Sequence, residues 1–286
     1  IRALYTAIQD RESDPLLLLY GQSGIGKSSF LAAGLLPRLE GDYQVAYCRR
    51  DQSKGLLGVL SEVLAVNVDE PSFAHAWHRL ESAQSKPLII VIDQVEEFYT
   101  RPNHDLPQEM TAFLDAVQAI FGERAHRPQG KLILGFRKEW LAEITKLLRE
   151  RALPFTDLFL ERLDRRGIME AVTGVARVAR LQRRYHLTIE AGLPEEIADD
   201  LVVDPGSAIA TTLQILLTKL WARAKDRSYA QPIFDRILYH ALRSKGLLLS
   251  DFFDQQMQTL QSLQPEVVAS GLALDLLAYH PTEQDT

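Results

Sequence analysis

The sequence predicts an α/β fold built on a buried parallel sheet and continued by a helical region. Three observations carry that prediction. Short, almost wholly apolar runs recur early in the chain: LLLLY at 16–20, LIIVID at 88–93 and KLILGF at 131–136. Segments with helical spacing separate them. After about residue 164 the apolar runs give way to helical periodicity alone. A strand that faces water on one side alternates in character, whereas one covered on both faces is apolar throughout. The runs therefore read as a doubly wound parallel sheet with helices on either side.

The elements follow in order. IRALYTAIQD opens the chain as a helix, and LLLLY follows as the first strand. SSFLAAGLLPRLE reads as a helix ended by Pro37, which has no N–H to continue it. YQVAYCR (43–49), with β-branched and aromatic content, is a strand. GLLGVLSEVLAV and FAHAWHRLESAQ are helical, PLIIVID (87–93) is a strand, and QEMTAFLDAVQAIF is helical again. KLILGF precedes the helical KEWLAEITKLLRER, and FTDLFLERL (155–163) holds a fifth, shorter strand. From RRGIMEAVTGVARVARLQRRYHL onward, including PEEIADDLVVD, GSAIATTLQILLTKLWARAK and PIFDRILYHALRSKG, every segment reads as helix. We expect an α/β domain over 1–164, a helical domain over 165–246 and a further partial domain over 247–286, with breaks near Arg165–Gly167 and Gly246–Ser250.

Composition narrows the function. The chain has 286 residues, 46% of them hydrophobic and 24% charged, with a formal net charge of −6. That length supports a substantial core and more than one domain. The acidic balance argues against a general nucleic-acid-binding surface. The one cysteine, Cys48, rules out an intramolecular disulfide framework and suits a reducing cytoplasm, where we expect the protein. Its strand setting makes it a core thiol. No apolar run approaches the roughly 18 residues that a membrane span needs. Trp77, Trp140 and Trp221 lie on apolar helical faces and read as core. The histidines lack metal-ligand spacing, so we expect no structural metal. The chain starts without Met inside a helical pattern and stops just after another, so we read it as a piece of a longer protein.

The chemistry concentrates at GQSGIGKSS, residues 21–29. The spacing fits G-x-x-x-x-G-K-[ST] through Gly21, Gly26, Lys27 and Ser28, with a strand before it and a helix after it. Gly21, Gly24 and Gly26 permit backbone conformations closed to other residues, letting the chain wrap a phosphate group. Gly21, Gln22, Ser23, Gly24, Ile25, Gly26, Lys27, Ser28 and Ser29 then form the candidate phosphate cradle, with N–H groups and a helix N-terminus aimed at the anion. Lys27 would reach the β- and γ-phosphates, and the Ser28 hydroxyl would take a Mg²⁺ position. A plain glycine-rich turn is the alternative. The flanking elements favour the phosphate site.

Such a site needs an acidic Mg²⁺ ligand at the tip of a neighbouring strand, and LIIVID supplies Asp93. A helix cap is the alternative role for it. Beyond it the chain reads DQVEEFYT. Many nucleoside triphosphatases place an acid directly after this Asp, but here the residue is Gln94. The group that orients the attacking water must then come from Glu96 or Glu97, or be missing, and of the two we favour Glu96. Arg137 follows the strand KLILGF, at the end of a parallel sheet where ligands bind, and would stabilise terminal phosphate charge. ARVARLQRRYHL gathers Arg177, Arg180, Arg183, Arg184 and His186, which we read as a solvated helix face rather than a nucleic-acid patch.

These pieces resemble the STAND class of signalling ATPases, within the AAA+-like P-loop proteins, and the novel STAND NTPase subgroup in particular. The resemblance rests on GQSGIGKSSFLAAGLLPRL, VIDQVEEFYT, LILGFRKEWL and LQILLTKLW (213–221). Where the family usually has Phe in the second motif, this chain has Val95. The resemblance implies a P-loop NTPase core with a five-stranded parallel sheet in the order 5-1-4-3-2, then a helical lid and the start of a winged-helix domain. It implies ATP or ADP with Mg²⁺ as cofactors, Ser28 and Asp93 as metal ligands, and Lys27, Asp93, Glu96, Glu97 and Arg137 as the catalytic set, with Arg137 as sensor arginine. It implies slow, regulated ATP hydrolysis, a homo-oligomer in the ATP state, and sensor and effector domains attached outside this chain. A lid proline that touches nucleotide in related proteins has only Pro205, ahead of its helix, as a counterpart. His280 matches an ADP-sensing histidine loosely, and a plain helix-end histidine is the preferred reading. The competing functions are a DNA-associated AAA+ ATPase and a nucleotide-binding scaffold without turnover. The acidic balance and the neutral Gln94 weigh against the first.

Overall fold

The computed structural model describes residues 2–66, 72–203, 209–243, 260–262 and 264–270. Two compact units divide the chain, Ile1–Arg162 and Leu163–Thr286. Pro205, His280 and most of the partial domain expected over 247–286 lie outside the described residues.

In the first unit helix α1 (Arg2–Gln9) leads into strand β1 (Leu16–Gly21). The loop at 22–26 is followed by α2 (Lys27–Ser29), a π-helical stretch Phe30–Leu35, and α3 (Leu36–Leu39). Next come β2 (Gln44–Arg49), α4 (Gly55–Leu64), α5 (Phe73–Gln84), β3 (Leu88–Asp93), α6 (Glu97–Thr100) and α7 (Glu109–Phe121). β4 (Lys131–Arg137), α8 (Leu141–Glu150) and β5 (Phe155–Phe159) complete the unit. All five strands run parallel in the order β2-β3-β4-β1-β5, the expected 5-1-4-3-2 read from the other edge.

Side chains one residue apart on each strand go to opposite faces, and both faces are buried. Leu16, Leu18, Ile90, Ile92, Leu132, Leu134 and Phe136 pack against Leu60 of α4, Trp77 of α5, Phe113 and Val117 of α7 and Leu148 of α8. Leu17, Leu19, Ile89, Val91 and Ile133 pack against Leu4 and Ile8 of α1 and against Leu31, Leu35 and Leu39 behind the glycine loop. This double burial is why the strands read as unbroken apolar runs. Trp77 is fully buried, whereas Trp140 and Trp221 only lean on their cores.

Two expectations need correction. Pro37 does not end its helix, which continues to Leu39. The chain takes a wider turn ahead of it, with the Leu36 N–H bonded to the Leu31 carbonyl five residues back. In an α-helix the Pro37 ring would press on the carbonyl of Ala33. The wider turn relieves that clash. The second unit is also not purely helical. Helices α9 (Arg165–Arg177) and α10 (Ala179–Tyr185) precede a short strand β6 (Thr188–Ile189). After α11 (Leu193–Val202) and α12 (Ile209–Arg227), β7 (Ile233–Phe234) pairs with β6 in parallel, and α13 (Arg236–Arg243) follows. Two-residue strands are too short to show a period of two, so helical periodicity masked them. Ile168, Val172, Ile197, Leu213, Leu220, Phe234 and Leu238 form this unit's core. Among the described residues no helix is long and apolar enough to cross a membrane. Arg177, Arg183, Arg184 and His186 are exposed.

Candidate functional site

The site lies at the carboxyl ends of β1, β3 and β4. Gly24 (φ 70°) and Gly26 (φ 93°) take left-handed conformations that favour glycine. Gly21 needs no such freedom. It is required by space, because a Cβ there would stand 2.8 Å from the Leu160 carbonyl oxygen. The loop closes on its own lysine: Lys27 Nζ donates to the carbonyls of Gly21 (2.9 Å) and Gln22 (3.0 Å). Burial lowers the pKa of the Lys27 ammonium, while Glu96 and Asp93 pull it back up. A phosphate would therefore replace two neutral acceptors with a charged one, and charge-assisted hydrogen bonds are the stronger kind.

Ser28 and Asp93 meet directly. The Ser28 hydroxyl donates to Asp93 Oδ2 at 2.6 Å. Asp93 is 1% exposed, and Val91 and Ile89 of the same strand face the same helices. Its Oδ1 accepts the Gln94 N–H at 3.0 Å. Among the described residues no cation pairs with this carboxylate. A buried carboxylate held only by neutral donors and lying beside a hydroxyl is a pair of hard oxygen ligands, which suits Mg²⁺. Gly135 on β4 makes the space: a Cβ there would lie 2.8 Å from Asp93 Oδ1. Gln94 has a left-handed backbone (φ 62°), and the Val95 N–H donates to the Gly135 carbonyl at 3.0 Å. That turn carries the chain into α6, with Glu96 at its N-cap position.

The two glutamates have different surroundings. Glu96 is 4% exposed. Its Oε1 lies 3.3 Å from Arg137 Nε, and its buried Oε2 has no hydrogen-bond partner. Burial pushes the Glu96 carboxyl above its ordinary range, against the pull of Lys27 and Arg137. Glu97 instead pairs with Arg101 one turn along, at 3.3 Å. The fold thus gathers Lys27, Ser28, Asp93, Glu96 and Arg137, and turns Glu97 toward an exposed arginine. Tyr99 stacks on Trp140, with ring centroids 4.3 Å apart and planes 1° from parallel. This joins the DQVEEFYT and FRKEW segments that carry Glu96 and Arg137.

Sequence reasoning missed two features. The Tyr47 hydroxyl donates to Asp93 Oδ2 at 2.8 Å. Arg50 and Glu109 form a bidentate pair, with both contacts at 2.7 Å and both side chains 1% exposed. Glu109 also accepts the Leu56 N–H (2.8 Å), and Arg50 donates to the Arg101 carbonyl (3.0 Å) beside α6. Strand alternation puts Tyr47 on one face of β2, but only the register with β3 brings it to Asp93. Cys48, between them in sequence, lies beside the Val91 carbonyl (3.3 Å), and burial pushes its thiol up to about 12.

Comparison with known proteins bears on the fold and the family. The Aeropyrum pernix ORC2 protein, solved as ADPNP-ADP complexes and in an ADP form, is similar in fold, with a TM-score of 0.51 and 14% identity in both cases. The alignments cover 85% of this chain and 64% and 66% of those chains. The Aeropyrum pernix ORC1 protein in complex with DNA aligns at a TM-score of 0.49 and 18% identity, over 85% of this chain and 62% of that one. The chain therefore spans somewhat less than two thirds of its structural neighbours, and at these identities the likeness is one of fold. No curated protein matches the sequence. A family model described as Novel STAND NTPase 1 matches residues 1–268, and the chain belongs to that family.

Proposed function

We propose that the chain is the ATP-binding and slowly hydrolysing switch module of a STAND signalling or defence protein, acting in the cytoplasm on attached sensor and effector domains. The observation that carries this reading is the pairing of Arg137 with the buried Glu96, 3.3 Å apart, beside Lys27 and Asp93. The two groups that hydrolysis would turn on a terminal phosphate hold each other instead. A γ-phosphate offers Arg137 a stronger anionic partner, which would release Glu96 to orient water. ADP offers no such partner, and the pair would close again. One ion pair then distinguishes triphosphate from diphosphate, which is the property of a switch. Mg²⁺ bound with nucleotide would neutralise phosphate charge, with Ser28 and Asp93 as the residues that hold it. Homo-oligomerisation would belong to the ATP state.

The test begins with the nucleotide that the purified protein retains, released by denaturation and identified by ion exchange. Stoichiometric ADP, with slow phosphate release from added ATP, is the expected result. Lys27→Ala abolishes binding on this reading. Unchanged ATP affinity in that variant would refute the site. Turnover strongly stimulated by DNA would instead favour the DNA-associated ATPase.

A further inference from the structure

Asp93 is held by three donors from three places: Ser28 at the start of α2, the following Gln94 peptide, and Tyr47 on β2. The first two belong to the motifs themselves. The third does not. Tyr47 reaches across from the edge strand of the sheet, 46 residues away in sequence, to the same Oδ2 that Ser28 uses. Without it, that oxygen would be held by a single small hydroxyl, and the carboxylate would be less firmly fixed about its last bond. With it, Oδ2 is pinned between two hydroxyls at 2.6 and 2.8 Å, and Oδ1 is pinned by the Gln94 N–H at 3.0 Å. Arg49 at the end of β2 stands in register opposite Asp93 on β3.

We propose that Tyr47 is a positioning residue of the metal site, fixing the Asp93 carboxylate so that it and the Ser28 hydroxyl present one preformed pair of oxygen ligands to a divalent cation. This rests on the nucleotide-site reading above. The role is confined to the metal. The Tyr47 hydroxyl donates to the Asp93 carboxylate, so on this reading the nucleotide's own affinity should not depend on it. Groups that orient a metal ligand from behind typically change metal affinity about 10–100-fold when removed.

The experiment compares Tyr47→Phe, Ser28→Ala and Lys27→Ala with the unaltered chain. ADP and ATP affinities are measured in EDTA and in Mg²⁺, and Mn²⁺ binding to the nucleotide complex is followed by electron paramagnetic resonance. The phenylalanine keeps the ring's packing, and thermal melting checks this. Tyr47→Phe is expected to keep its EDTA affinity within about twofold and to bind Mn²⁺ about 10-fold more weakly. Its Mn²⁺ signal should also broaden, which a merely structural role would not produce. Wild-type Mn²⁺ affinity and line shape in Tyr47→Phe would overturn the proposal. Equal loss of nucleotide in EDTA and in Mg²⁺ would overturn it too, because the residue would then act on the loop. If Ser28→Ala keeps full metal dependence, or Lys27→Ala keeps full nucleotide affinity, the underlying site assignment fails and the proposal falls with it.

Discussion

Replacing Glu96 with Gln tests the site at its centre. The change keeps the shape of the side chain and removes one charge. At 3.3 Å the Glu96–Arg137 pair has a direct attraction of about 5 kcal/mol at an effective dielectric of ~20. Arg137 is 51% exposed, so solvent screening brings the net value toward the roughly 1 kcal/mol or less of surface bridges. Loss of a buried, half-partnered charge offsets part of even that. Stability should therefore change by no more than about 1 kcal/mol. Turnover should fall about 10²–10⁴-fold, equivalent to about 3–5 kcal/mol of barrier, if Glu96 orients the water. Phosphate release under single-turnover conditions, beside a separate binding measurement, separates the two effects. Glu97→Gln is the control, because Glu97 is tied to Arg101, and it should alter turnover less than about threefold. The pH profile adds a sign. Burial raises the folded-state pKa of Glu96, so turnover in the unaltered protein should decline, as pH falls, at a higher pH than an ordinary glutamate would give. The same shift means that this group's contribution to stability is full below the ordinary glutamate value and is lost as pH rises through the raised one. Glu96→Gln should remove both effects. Normal turnover in Glu96→Gln, with an inactive Glu97→Gln, would refute this assignment.

Two further outcomes follow from the same structure. Glu109→Ala leaves the Arg50 guanidinium buried without its partner and should lower stability by about 3–5 kcal/mol in urea unfolding; a loss under about 1 kcal/mol would mean that water or rearrangement satisfies the arginine. Cys48, with its thiol pushed up to about 12, should react with iodoacetamide at pH 8 at least about 100-fold more slowly in the folded chain than in the unfolded one. Equal rates would mean that the β2 edge opens freely.

The readable part of this protein was local. The glycine loop announces itself because its backbone needs φ values that only glycine takes easily, and because Lys27 and Ser28 follow at fixed spacing. Asp93 was visible as a charge at the end of an apolar strand, and the strands were visible because both faces are buried. What remained hidden depends on register and distance. Tyr47 meets Asp93 only after β2 and β3 pair, and Arg50 finds Glu109 across 59 residues. Periodicity tells which face a side chain takes, not which partner waits there. The choice between Glu96 and Glu97 was likewise open in sequence, since adjacent residues differ in environment only once α6 is placed. Pro37 misled for a related reason. Its missing N–H is a local fact, but the core's demand that Leu39 stay buried along with Leu31 and Leu35 is not.

That wider turn has a consequence for heredity. An α-helix advances about 100° per residue, so one inserted or deleted residue rotates everything beyond it by that angle. The stretch Phe30–Leu35 absorbs one extra residue between the loop and Leu39 without such a rotation. The angular phase of Lys27 and Ser28 relative to their hydrophobic anchor is thus set by a bulge rather than by an unbroken spiral. A single-residue deletion within 30–35 that let the chain relax to an α-helix would keep Lys27 and Ser28 in phase with Leu39, whereas relaxation to an α-helix at unchanged length would turn the loop's side chains away from β3 while leaving every motif residue intact. A homologue lacking the proline should therefore be shorter here by one.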